Sequence, residues 1–164
     1  MDEGPWTTLA LRQPTRRREW ELRHGEELLA SLQLPAMRRG GKARVGDREL
    51  EIRASGLLKV EHLVVDAGTG EEVATVRQNV LEGPGLDESS WTSLGRGKGH
   101  GFVTADGEPW LRAKVSSGLI RTSGQLEVAP GHEVAVPALL AAYLLIRKAE
   151  EVASSVAATT VVAP

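Results

Sequence analysis

Near the end of this 164-residue chain, the run VAVPALLAAYLLI, Val134–Ile146, holds 13 residues without a charge. Pro137 suits the first turn of a helix, and Ala and Leu are strong helix formers. Arg147, Lys148, Glu150 and Glu151 continue the helical composition with charge, which predicts a helix over about 137–152. A helix apolar on every face has to be enclosed on all sides. At ~1.5 Å per residue the run covers about 20 Å, short of the ~30 Å hydrocarbon core of a bilayer. Extending it to Val162 draws in four charges, each costing roughly 2.5–3.5 kcal/mol near a helix centre. No transmembrane segment is therefore expected. A curved or closed sheet wrapped around the helix satisfies it, and outweighs a membrane anchor or a helix awaiting a partner.

The rest of the chain supplies such a sheet. Eighteen Gly and eight Pro punctuate it, a density that favours short strands over long helices. Apolar and polar positions alternate in bursts, the mark of half-buried strands. Expected strands are Trp6–Arg12, Glu19–Arg23, Glu27–Leu34, Lys42–Val45, Arg48–Ala54, Lys59–Asp66 and Glu72–Gln78. They continue with a weak run at Gly85–Asp87, then Ser90–Leu94, Gly101–Thr104, Trp110–Ser116, and Leu119–Thr122 with Gln125–Val128. Val45-Gly46-Asp47-Arg48, Ala105-Asp106-Gly107-Glu108 and Thr122-Ser123-Gly124-Gln125 are expected hairpin turns, because Gly and Asp tolerate positive φ. Trp6, Trp20, Trp91 and Trp110 all fall in alternating runs and are expected to fill the core.

One hairpin type recurs. Gly-Glu pairs begin at residues 25, 70 and 107, each between two alternating runs. Each is followed by a poorer hairpin, so the chain reads as three units of four strands, none able to bury its apolar face alone. The expected fold is mainly β: a closed or nearly closed antiparallel barrel of about twelve strands around one buried apolar C-terminal α-helix. It forms a single domain over 1–153, with 154–164 as a flexible tail.

This order of elements resembles the tubby C-terminal-like superfamily, which includes the LURP-one-related proteins and the phospholipid scramblases. The likeness rests on Arg18-Glu19-Trp20-Glu21-Leu22 with Gly25-Glu26, on Val65–Ala74, and on Pro137–Ile146, and it covers about residues 6–153. It implies a twelve-stranded barrel threaded by its helix. The chain departs from scramblases in having no cysteine cluster for acylation and no Pro-rich N-terminal extension.

Signatures of catalysis are missing. Without cysteine there is no disulfide, no thiol chemistry and no Cys-based metal site. Neither a P-loop, a G-x-S-x-G elbow nor H-E-x-x-H occurs. His24, His62, His100 and His132 lack metal-ligand spacing and are read as turn or surface residues. No catalytic residue, metal or cofactor is assigned. The glycines of Gly95–Gly101 read as a connector, with anion binding by Arg96, Lys98 and His100 as the alternative. The net charge of −2 and a pI near 6.1 argue against a nucleic-acid partner. Residues 1–59 nevertheless hold 12 basic and 9 acidic side chains.

Two basic clusters, Arg16, Arg17 and Arg18, then Arg38, Arg39, Lys42 and Arg44, lie in expected loops or strand ends. Near an anionic lipid surface each basic side chain contributes about 1 kcal/mol. The resemblance to tubby domains extends this to phosphoinositide headgroups. The expected function is a non-enzymatic scaffold or binding module, peripheral to membranes through these residues. The N-terminus lacks an apolar signal segment, so a cytoplasmic location is expected. The alternative is a small-molecule binder or enzyme with a pocket at the barrel mouth.

Overall fold

The computed structural model describes residues 4–15, 17–36, 39–56, 58–117 and 122–161. Its strands are β1 (Thr7–Arg12), β2 (Glu19–His24), β3 (Glu27–Gln33), β4 (Gly41–Val45), β5 (Arg48–Ser55) and β6 (Glu61–Asp66). They continue as β7 (Glu72–Arg77), β8 (Val80–Glu82), β9 (Ser89–Ser93), β10 (His100–Val103), β11 (Pro109–Ser117) and β12 (Thr122–Val128). Each strand pairs with its chain neighbour, and β1 closes the barrel on β12 from Thr7↔Val128 to Leu11↔Gly124. Closure removes the unpaired edges that an open sheet would expose.

Period-two alternation decides what fills the interior. Leu9 and Leu11 of β1, Trp20 and Leu22 of β2, Ala30 and Leu32 of β3, and Leu50 and Ile52 of β5 are buried in one continuous core. The same core holds helix α1 (Ala135–Val161). Every residue from Ala138 to Tyr143 is at most 1 % exposed. Six consecutive helical positions span more than one turn, so this stretch of the helix is shielded around its whole circumference. It begins near the predicted residue and runs beyond 152.

Three features correct the sequence reading. Gly85–Asp87 is not a strand; the eighth strand is Val80–Glu82, reached through a two-residue turn in which Gln78 and Asn79 have φ of 52° and 64°. Thr122-Ser123-Gly124-Gln125 is not a turn. It lies within β12, where Gly124 pairs with Val115 and Leu11, and a Cβ there would meet the Lys114 carbonyl oxygen at 2.6 Å. Trp20 and Trp110 fill the core, whereas Trp6 and Trp91 are only half-buried. Leu119–Arg121 lies outside the described residues.

The recurrent hairpin has a structural counterpart. Its three Gly-Glu turns join β2 to β3, β6 to β7 and β10 to β11, every fourth strand around the barrel. Each of these hairpins shifts register at the same place, between Leu22 and Arg23, Val64 and Val65, and Phe102 and Val103. Such shifts bend a strand and increase its twist, so three repeated bends help the sheet to close.

Candidate functional site

Charge is sorted along the barrel axis. The connections around the end where α1 enters, 25–26, 46–47, 67–71, 83–88, 104–108 and 129–134, carry eight carboxylates and no Lys or Arg. Among the described residues, connections at the end where α1 leaves carry Arg17, Arg18, Arg39, Lys59, Arg96 and Lys98 and no Asp or Glu. Comparing the two halves of the sequence hides this separation, because successive turns alternate between the ends.

At the basic end, Arg17, Arg18, Arg39 and Lys42 line one groove of about 660 Å³ with two carboxylates, Glu19 and Glu51. The structure thus brings together four of the residues expected to meet anions. Arg18 is held in place: Nε donates to Leu34 O at 2.8 Å and Nη2 to Glu150 at 2.5 Å. Arg39 Nη1 donates to Gly56 O at 2.7 Å. Among the described residues nothing binds the charged heads of Arg17 or Lys42, and both residues are exposed. Arg44 does not join them. It lies further along β4 and pairs with Glu49 at 2.6 Å, both side chains exposed. Arg16 and Arg38 lie outside the described residues.

Arg39 also borders a second cleft, of about 480 Å³, between α1 and the ends of β6, β9 and β10. His62, Trp91, His100, Tyr143, Arg147 and Lys148 line it. The pivot is Gly40, with φ 83°, whose N–H donates to Tyr143 Oη at 3.2 Å and whose carbonyl accepts from Arg147 Nη2 at 2.8 Å. A Cβ at Gly40 would lie 2.3 Å from Ile52 O. The Tyr143 hydroxyl also meets His62 Nδ1 at 3.1 Å. Burial, then Arg39 and Arg147, hold the His62 pKa below its ordinary value. Burial raises that of Tyr143.

Across the cleft, Lys148 Nζ lies 3.0 Å from His100 Nε2, and His100 stacks on Trp91 with ring centroids 5.6 Å apart. Burial and then Lys148 lower the His100 pKa. Reading His62 and His100 as turn or surface residues is therefore corrected: both are half-buried strand residues facing one cleft. Their spacing in sequence carries no sign of this, because only the register of β6 and β10 brings them to one end.

The glycine-rich connection Gly95–Gly99 is a compact turn. Leu94 N–H donates to Gly99 O and Lys98 N–H to Gly95 O, while Gly97 O accepts from Lys114 at 2.7 Å. Among the described residues no group of three or more His, Asp or Glu is placed to hold a metal ion. No helix among them is long and apolar enough to cross a membrane, which says nothing of strands. Comparison with protein-family models, curated proteins and solved structures finds no match.

Proposed function

We propose that this chain is a non-enzymatic binding module that docks its basic end on anionic membrane surfaces, phosphoinositide-bearing ones included, as a peripheral protein. The observation that supports this most is the sorting of connecting-loop charge among the described residues, basic where α1 leaves and acidic where it enters. Such a molecule orients in the field of an anionic surface before touching it. The tip between β5 and β6 adds an apolar element: Leu58 is 98 % exposed beside Lys59. A leucine between a cationic rim and headgroups can enter the acyl boundary, where burying its side chain yields about 1.5–3 kcal/mol. The resemblance to the tubby-like superfamily points the same way.

Co-sedimentation with vesicles of phosphatidylcholine alone, or mixed with phosphatidylserine, tests the reading. Binding should require the anionic lipid and weaken as salt rises. The triple change Arg17→Glu, Lys59→Glu, Lys98→Glu should lower affinity by about a hundredfold, at about 1 kcal/mol for each basic side chain removed. Leu58→Asp should weaken binding, and Arg44→Glu should change it little. Equal failure to bind neutral and anionic vesicles removes the proposal.

A further inference from the structure

The groove of Arg17 and Lys42 opens outward, but the cleft across the helix is built differently. Its basic side chains arrive from separate elements: Arg39 from the β3–β4 connection, His62 from β6, His100 from β10, and Arg147 and Lys148 from α1. One carboxylate, Glu151, lines it. Arg147 is paired with Glu150 at 3.1 Å, so Arg39 and Lys148 supply the remaining permanent charge against Glu151, and the two imidazoles beside them can gain charge when an anion binds.

The positions are fixed rather than floppy. Arg147 is clamped by the Pro35 and Gly40 carbonyls, at 3.3 and 2.8 Å from Nη2, and Arg39 by Gly56 O. Carbonyl oxygens orient both guanidinium groups, and Glu150 also accepts from Arg147 Nη1 at 3.1 Å. The Tyr143 hydroxyl anchors the His62 ring through Nδ1 at 3.1 Å. Lys148 donates to His100 Nε2, which places the remaining imidazole proton on Nδ1. The Trp91 ring, half-buried and stacked on His100, forms an apolar wall beside these donors. At about 480 Å³ the cleft holds more than a bare anion.

We propose that this cleft binds a phosphomonoester dianion, with Arg39 and Lys148 meeting the phosphate in the field of Arg147 and Trp91 packing against its ester group. The site stands apart from the vesicle reading, because a soluble monoester would fill it as well as a membrane headgroup.

Phenyl phosphate is the probe, followed through the imidazole NMR resonances of the full chain. Binding should perturb the His62 and His100 signals and raise the pH at which each titrates. The groups acting on His62 are Arg39, Tyr143 and Arg147, and Lys148 acts on His100, with Glu151 elsewhere on the cleft lining. An added dianion supplies the charge that favours protonation. Inorganic phosphate should bind more weakly, lacking the ring. Dimethyl phosphate, a monoanion, should bind weakest. Lys148→Gln, on the exposed helix surface, should weaken phenyl phosphate binding by about tenfold, as for one lost charge-assisted contact. Lys42→Gln, on the other groove, should leave it unchanged.

The source of the phosphate is read from vesicles containing phosphatidic acid, whose headgroup is a monoester, or phosphatidylserine, whose headgroup is a diester. If Lys148→Gln lowers binding to the first alone, the ligand is a headgroup. If it affects neither, the ligand is soluble. Unmoved His62 and His100 resonances at saturating phenyl phosphate overturn the proposal, whatever the vesicles do.

Discussion

Arg18 donates to Glu150 at 2.5 Å, tying the start of β2 to a helical residue 132 positions later. Glu150 also accepts from Arg147 of the same helix at 3.1 Å, and Arg147 in turn donates to the Pro35 and Gly40 carbonyls, so the helix exit is tied to the barrel by Arg18 and by Arg147 separately. The Arg18 and Glu150 side chains are about a third exposed, which keeps the value of the pair small. A double-mutant cycle of Arg18→Ala and Glu150→Ala in urea should give a coupling of about 0.2–1 kcal/mol that shrinks with salt. Arg18→Ala alone should cost more than Glu150→Ala, because it also takes the donor from the carbonyl of buried Leu34.

Position within the barrel should dominate stability. Leu140, at 0 % exposure on α1, has no route to relax when truncated. Leu140→Ala should cost about 2–5 kcal/mol by chemical denaturation. Leu28→Ala, 48 % exposed on the outer wall, should stay within about 0.5 kcal/mol of the parent.

Gly40 and Gly107 make a controlled pair. Both have positive φ, 83° and 85°, but a Cβ meets Ile52 O at 2.3 Å in the first and nothing within 4 Å in the second. Gly107→Ala should cost about 1–2 kcal/mol, for the left-handed backbone alone. Gly40→Ala should add an overpacking penalty of roughly 1–3 kcal/mol. It should also shift the His62 imidazole resonance, since Gly40 N–H anchors Tyr143.

Acid should weaken the fold through the two cleft histidines. Burial first, then neighbouring cations, lower both pKa values. Between the folded values and the ordinary value of about 6.5, the unfolded chain binds protons that the folded chain refuses. Their contribution is therefore complete above about pH 6.5 and is lost as pH falls below it. Denaturation at pH 7.5 and pH 5.5 should show a smaller drop for His62→Gln/His100→Gln than for the parent. An equal or larger drop contradicts the assignment.

How much of this was legible in the sequence follows from which interactions are local. The apolar circumference of Val134–Ile146 demands an enclosure, and alternation in the strands supplies one, so the barrel and its helix could be read residue by residue. Turns at Gly46-Asp47 and Asp106-Gly107 follow from backbone preferences within four residues. Val80–Glu82 was hidden because three residues show no periodicity, although Asn79, which tolerates positive φ, was the available signal. Gly124 misled because a glycine required by the nearby Lys114 carbonyl looks, in sequence, like a glycine required by a turn. The cleft was illegible for a different reason. His62, His100, Tyr143 and Lys148 converge only through the register of a closed barrel, and nothing local records it.

The account depends on the Ala138–Tyr143 stretch of α1 being dry on every face, and a chain without cysteine allows a direct measurement. Single-cysteine variants Leu139→Cys, Leu140→Cys and Ala141→Cys place thiols about 100° apart around the helix, and Glu108→Cys on an exposed turn is the control. The three helical thiols should react with a water-soluble disulfide reagent only at the rate of global unfolding, while Cys at 108 reacts at once. Rapid labelling of any one of the three in the folded protein would mean that this face meets solvent, and would contradict the enclosed helix.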